Sequence, residues 1–329
     1  MNAGEARSTL RPPRESPGTV VVALGGNALA PTGERPTIAN QFRHTRASLA
    51  PVVELARLGW RIAIVHGNGP QVGDSLARNE IAAAEVEALP LGVLVAETAG
   101  WIGYMIQQSL QNALEREGVA REVVTLITQT VVSADDPMLR QPTKPVGHAL
   151  SRARRDSLEL RGVPIGTDSK GNVRRLTASP LPRGIVEHRI LYRLICEGII
   201  VVAAGGGGPP VYRDPALGWE GIDAVVDKDR TAAILARELK ADLLLILTDV
   251  DAVYRGFGTP QQRPLRRITL AEARELLASG ELGSGSMKPK VEAAASFVEA
   301  GGERATIAAL EQGAAAMRGE AGTSIVKDA

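Results

Sequence analysis

Aromatic residues are scarce in this chain: Phe, Trp and Tyr together make up 3% of its 329 residues. A surface that stacks nucleobases needs such rings, so their scarcity argues against nucleic acid as a partner. The charge balance points the same way, with 38 basic against 37 acidic residues and a formal net charge of +1. A single cysteine, Cys196, excludes an internal disulfide and a cysteine-built zinc site, and it fits a reducing compartment. The four histidines (His44, His66, His148 and His188) are scattered and show no metal-ligand spacing. No apolar run approaches the roughly 20 residues that span a bilayer. Residues 1–18, MNAGEARSTLRPPRESPG, are polar and Pro-rich with no apolar stretch, and read as a flexible extension rather than a signal peptide. The expectation is a soluble, cytoplasmic protein with no membrane partner.

What the chain does contain is a series of short, continuous apolar runs. TVVVAL (Thr19 to Leu24), RIAIVHG, EVVTLITQTVV, GIIVVAAGGGG and ADLLLILTD are spaced along it. Such runs, buried on both faces, are what a parallel sheet sandwiched between helices requires. Helical spacing appears between them, as at Ile102, Met105, Ile106 and Leu110. The predicted architecture is α/β, an open, mainly parallel sheet between helices, over residues 19–329. The segment from Trp101 to Leu114 reads either as core or as a contact with a second copy. From about residue 137 to 183 the alternation lapses into Arg-, Pro-, Gly- and Asp-rich sequence, which is either a disordered insertion or a small protruding subdomain. Its PTKP motif holds Lys144 between two prolines, favouring a fixed presentation of that lysine.

Three glycine clusters follow three predicted strands: GGNA from Gly25, HGNGPQVG from His66 and GGGGPP from Gly205. In a parallel sheet all three fall on the carboxyl edge, where open α/β sheets bind ligands. Bare backbone there lets N–H groups converge on an anion. None matches G-x-x-x-x-G-K-[ST] or G-x-G-x-x-G, so neither a P-loop enzyme nor a dinucleotide dehydrogenase is supported. Lys228 opens a predicted helix, where a cation is disfavoured unless an anion lies beside it, and Asp229 suits the helix's cap or first turn. Lys288 and Lys290 precede another helix, and spacing alone does not choose between them. Asp249 and Asp251 alternate along LTDVDAVY and, if extended, face one side; an Asx-type turn accounts for them equally well. His66, ending a strand, reads as a hydrogen-bonded structural residue more readily than as a general base. Glycine donors with two or three lysines are what phosphoryl transfer asks for.

The motifs VVALGGNAL, HGNGPQVG, QPTKPVG, AAGGGGPPV, VVDKDRTAAILA, LLLILTDVDAVY and GSMKPKVEAA together resemble the carbamate kinases of the amino-acid kinase family, from about Thr19 to Lys327. The resemblance implies reversible phosphoryl transfer between ATP and carbamate (from ammonia and bicarbonate), Mg²⁺ entering with the nucleotide, and a homodimer. In cells such enzymes usually run toward ATP at the end of fermentative arginine breakdown. It further implies that Lys144, Lys228 and Lys290 act on the phosphoryl group, with Asp229 holding lysines in place. By the same resemblance Gly25, Gly26, Asn27, Gly67, Asn68 and Gly69 face the substrate. Gly205, Gly206, Gly207, Gly208, Thr248, Asp249, Asp251, Tyr254 and Met287 would lie toward the nucleotide. No dedicated protein cage for a metal is visible. Many amino-acid kinases carry a lysine where this chain has Ala23, which throws the role onto Lys144 of the lid-like segment. Two other readings remain: a relative acting on another small carboxylate or phosphonate, and a catalytically silent nucleotide-binding protein.

Overall fold

The computed structural model describes residues 16–30, 34–168, 171–282 and 286–328; most of the expected N-terminal extension, residues 1–15, lies outside them. The apolar runs become the strands of an eight-stranded sheet. In chain order these are β1 (Thr19–Leu24), β2 (Arg61–His66), β3 (Val123–Thr125), β4 (Ile200–Val202), β5 (Leu243–Thr248), β6 (Arg267–Thr269), β7 (Arg304–Ala309) and β8 (Thr323–Val326). Their spatial order is β6-β8-β7-β5-β1-β2-β4-β3, and every pairing is parallel except β7 with β8. All six residues of β1 and of β5 are buried, as central strands covered on both faces must be. The sequence leaves β1 toward β2 on one side, while β5 returns on the other. That reversal of strand order opens a crevice at the carboxyl ends.

The connections carry the helices α1 (Gly26–Leu29), α2 (Ile38–Ser48), α3 (Ala50–Arg57), α4 (Gly69–Ala82), α5 (Leu91–Arg116), α6 (Arg152–Leu160), α7 (His188–Cys196), α8 (Lys228–Glu238), α9 (Leu270–Ser279), α10 (Met287–Glu299) and α11 (Gly313–Met317). Alternation along the strands sends side chains to two separate cores. Val21 and Ala23 of β1 join the apolar faces of α7, α8, α9 and α10. Val20, Val22 and Leu24 join α3, α5 and α11 on the opposite face. The stripe Ile102, Met105, Ile106 and Leu110 is buried in that second core, so it is packing within the chain. The run EVVTLITQTVV does not stay one strand. Val123–Thr125 pairs with β4, whereas Thr130–Val131 turns away to pair with residues 184–185 and 210–214 in a second, four-stranded sheet.

Between residues 137 and 183 the chain builds a three-stranded antiparallel sheet, with Val173–Thr177 between Lys144–Val146 and Ile165–Thr167, and helix α6 beside it. A third apolar cluster fastens this unit: Val146 packs with Val72 and Leu76 of α4, Leu94 and Val95 of α5, and Val225. Outside that cluster Glu80 of α4 accepts from both Arg154 and Arg175, one guanidinium on each carboxylate oxygen. The Gly147 N–H adds a backbone bond to the Gly69 carbonyl at 3.0 Å.

One helix end carries a correctable strain. Past α8, the Lys240 N–H bonds the Arg237 carbonyl at 3.1 Å and the Ala241 N–H bonds the Ala236 carbonyl at 2.8 Å, a Schellman closure. That closure needs a left-handed residue, and Lys240 takes it with φ +51°, a conformation disfavoured by its Cβ. Its side chain is exposed. Lys240→Gly is therefore expected to raise stability by about 0.5–1 kcal/mol, the relieved strain being partly offset by the freer unfolded chain. Urea unfolding would register this as a higher midpoint at unchanged slope.

Candidate active site

The three glycine turns meet at the carboxyl ends of β1, β2 and β4, where β5 also ends. They wall a cavity of about 250 Å³ lined by Gly25, Gly26, Gly67, Asn68, Gly69, Gly206, Thr248 and Asp249. Its charged lining comes from elsewhere: Lys144 and Arg174 from the small antiparallel sheet, Asp227, Lys228 and Asp229 from the start of α8, and Lys290 from α10. A larger cavity of about 750 Å³ lies beside the edge strand β3, but its walls are mostly apolar and no set of cations converges in it.

The three lysines are organised by two carboxylates. Asp229, 3% exposed, accepts from Lys228 on Oδ1 and from Lys290 on Oδ2, the latter at 3.3 Å. Lys290 also donates to the Ser286 carbonyl at 3.3 Å. Burial drives the Lys228 pKa below its ordinary value, Asp229 pulls it back up, and the Lys290 charge pushes it down again. Asp227 takes the third lysine: Lys144 Nζ lies 2.6 Å from its Oδ2. Its Oδ1 caps α8 by accepting from the Asp229 and Arg230 N–H groups at 3.0 and 3.2 Å. Burial works to raise the Asp227 carboxyl pKa, but the Lys144 and Lys228 ammoniums and the cap N–H outweigh it and hold it well below the usual carboxylate range. The helix cap is thus Asp227, and Asp229 belongs to the first turn. Small residues at Ala232, Ala233 and Ala236 of α8 and at Ala293 and Ala294 of α10 are buried together. Across that junction Arg230 donates to Glu292 at 2.6 Å, which brings Asp229 and Lys290 together.

The four-glycine run forms a single tight 3-10 turn, Gly205–Gly207, at the end of β4. Gly206 has φ +67° and a side chain there would overlap the Asn68 amide; Gly207 has φ +92° and would collide with the Val226 carbonyl. Only glycine satisfies both demands. The Gly207 and Gly208 N–H groups close the turn on the Ala204 and Gly205 carbonyls, so these two donors serve the loop's own shape. Threonines hold it from behind. Thr128 Oγ1 accepts the Ala204 N–H at 2.8 Å, and Thr130 Oγ1 donates to the Gly207 carbonyl at 2.6 Å. His66, 1% exposed, packs against Gly205, with Nδ1 3.1 Å from the Gly67 carbonyl.

The residues singled out in the sequence divide into those the cavity gathers and those it does not. Lys144, Lys228, Asp229, Lys290, Gly25, Gly26, Gly67, Asn68, Gly69, Gly206, Thr248 and Asp249 line it. Asn27 occupies the second position of α1. Gly205, Gly207 and Gly208 stand behind Gly206, against His66, Val226 and Thr130. Asp249 and Asp251 do not alternate on a strand, because residues 249–252 bend away from β5. Asp249 stays in the lining while Asp251 accepts from the Tyr254 hydroxyl at 2.9 Å. Met287 opens α10 and packs against the first core. Lys288 is exposed and Lys290 buried, since residues two apart on a helix point to nearly opposite sides. Two charged lining residues carried no site role from sequence, Asp227 and Arg174. The D-K-D spelling before an Ala-rich helix is a cap signal that points to Asp227; nothing in the sequence marks Thr128 or Thr130.

Against known proteins, the profile described as "Amino acid kinase family" matches residues 18–309, so the chain belongs to that family and is a kinase. A carbamate kinase of Pyrococcus furiosus is 41% identical over 93% of this chain and 98% of its own length. The carbamate kinase of Giardia lamblia bound to citric acid superposes with a TM-score of 0.89 at 34% identity, covering 94% of this chain and 99% of that one. The same enzyme bound to AMP-PNP gives 0.86 with equal coverage. Within the family, the chain falls in the carbamate kinase group.

Burial pushes the His66 pKa from 6.5 down to about 4, against the raising effect of the Gly67 carbonyl and with help from the Lys228 charge. Between those values the unfolded chain binds a proton that the folded chain refuses. This contribution to stability is therefore complete above pH 6.5 and is lost as pH falls toward 4, about 3 kcal/mol in all. Urea unfolding measured from pH 4 to pH 7 should show that rise, and His66→Asn should flatten it whatever it does to the absolute stability.

Proposed function

We propose that the cavity catalyses reversible phosphoryl transfer between ATP and carbamate, interconverting these with ADP and carbamoyl phosphate. The observation that carries this reading is the convergence of Lys144, Lys228 and Lys290, from three distant segments, on one glycine-walled cavity. In the direction of ATP synthesis, an oxygen of the ADP β-phosphate attacks phosphorus. The bond between phosphorus and the carbamate oxygen breaks, and carbamate leaves with that electron pair. The moving group carries its charge on three equatorial oxygens, so catalysis is mainly positioning and neutralisation. Lys228 and Lys290 clamp those oxygens from one side, kept in register by Asp229, and Lys144 reaches them from the other. The turns at Gly25, Gly26 and Asn27 and at Gly67, Asn68 and Gly69 take the carbamate end. Gly206, Thr248 and Asp249 take the nucleotide end, with Asp251, Tyr254, Met287 and the rest of the four-glycine turn in support.

Mg²⁺ belongs to this reading as part of the metal nucleotide, where it would neutralise phosphate charge. Among the described residues no group of three or more His, Cys, Asp or Glu is placed to hold a metal. Asp227 and Asp229 already accept from lysines, and in this reading the ion enters on the nucleotide phosphates. The same reading includes a homodimer, a cytoplasmic setting, and flux toward ATP at the end of arginine breakdown. No described helix is long and apolar enough to cross a membrane.

The purified chain should form ATP from ADP and carbamoyl phosphate in the presence of Mg²⁺. Lys228→Ala and Lys290→Ala should each lower kcat by about 10²-fold or more, the scale of losing one donor to a transition-state oxygen. Lys288→Ala should stay within about twofold of wild type. Nucleotide binding without turnover would overturn the reading.

A further inference from the structure

Of the three lysines in the cavity, two are held by a carboxylate within the main body of the fold. Asp229 binds Lys228 and Lys290 with its two oxygens. Lys144 differs. It arrives on the strand Lys144–Val146 of the small antiparallel unit, and its partner is Asp227, 83 residues away in sequence. The two oxygens of Asp227 serve different partners, since Oδ1 is fixed by two backbone N–H groups of α8 and Oδ2 is left for Lys144. A carboxylate anchored in that way cannot follow the lysine if the lysine moves.

The unit that carries Lys144 is held by other contacts. The Gly147 N–H bonds the Gly69 carbonyl, Val146 packs among apolar side chains of α4 and α5, and Glu80 takes Arg154 and Arg175. Breaking the Lys144–Asp227 pair therefore leaves the unit docked, and only the flexible lysine stem needs to swing. The pair is largely but not wholly buried, with side chains 25% and 16% exposed, so an entering anion reaches it.

Building on the phosphoryl-transfer reading, we propose that Asp227 is a positioning residue that parks Lys144 in the cavity and yields it to an incoming phosphoryl oxygen. Until an anion arrives, Oδ2 stands in for that oxygen. An anion must compete with Asp227 for the ammonium and approach a fixed negative charge, so Asp227 weakens ground-state binding and eases product release. Lining the cavity are four cationic side chains (Lys144, Arg174, Lys228 and Lys290) and three carboxylates (Asp227, Asp229 and Asp249). Neutralising Asp227 doubles the formal excess of positive charge from one to two.

Asp227→Asn is the informative variant, because Asn caps a helix about as well as Asp and so spares α8. We expect a three- to tenfold lower KM for carbamoyl phosphate together with a lower kcat. Inorganic phosphate should raise the Tm more in Asp227→Asn than in wild type, and this readout needs no turnover. Both gains should shrink severalfold in a Lys144→Met background, since the effect acts through Lys144. A merely structural role would leave KM unchanged or raise it, and Asp227→Ala, which also loses the cap, would separate that loss from the loss of charge. If wild type makes no ATP, the functional reading fails whatever the variant does. If wild type is active while Asp227→Asn binds carbamoyl phosphate and inorganic phosphate no more tightly, the parking role alone fails. A gain undiminished by Lys144→Met also overturns it.

Discussion

The site depends on one buried carboxylate. Asp229 sits in the first turn of α8 and holds two lysines that would otherwise repel each other where they are largely buried. Burying a cation without a partner costs several kcal/mol, and two adjacent ones cost more. The shared carboxylate makes the arrangement tolerable and fixes where both ammoniums lie. It can do so because α8 and α10 pack closely through small side chains, with Arg230 and Glu292 bridging them. The central strands β1 and β5, at whose carboxyl ends the cavity lies, are buried from end to end.

A second layer of constraint acts on the backbone. The four-glycine turn is shaped by what lies behind it, chiefly the Asn68 amide, the Val226 carbonyl and two threonine hydroxyls. Two of its four N–H groups close the turn itself. It is a wall with one lining residue, Gly206, rather than a cradle of four donors. His66 belongs to the same wall, and its burial as a neutral ring suits a structural element better than a proton carrier at neutral pH. The third lysine is supplied by an antiparallel unit clamped to α4, whose own N-terminus is one of the glycine turns. That glycine turn and the lysine carrier therefore share a helix.

Much of this was legible in advance. Continuous β-branched runs gave the parallel sheet, and glycines after three of them gave the carboxyl-edge site, because both patterns follow from local geometry. Lys228 stood out because a cation at a helix start is locally unfavourable. The choice between Lys288 and Lys290 was not legible from spacing, since it depends on which side of α10 faces α8. The division of Asp249 from Asp251 turned on a bend that the alternating pattern conceals.

Pairings across long separations were not legible from the residues' own spacing, and the family resemblance implied only that Asp229 holds lysines. Lys144 and Asp227 lie 83 residues apart, and Asp229 and Lys290 lie 61 apart. Helix caps, strand periods and glycine turns are properties of a few neighbouring residues, so the sequence by itself determined the layers, the edge where the glycine turns meet and the residue types gathered there. Which carboxylate holds which lysine is a property of packing, settled when the two helices and the small antiparallel unit closed on the same crevice. Only the tertiary structure decided that, because an ion pair is fixed by distance in space and not by distance along the chain.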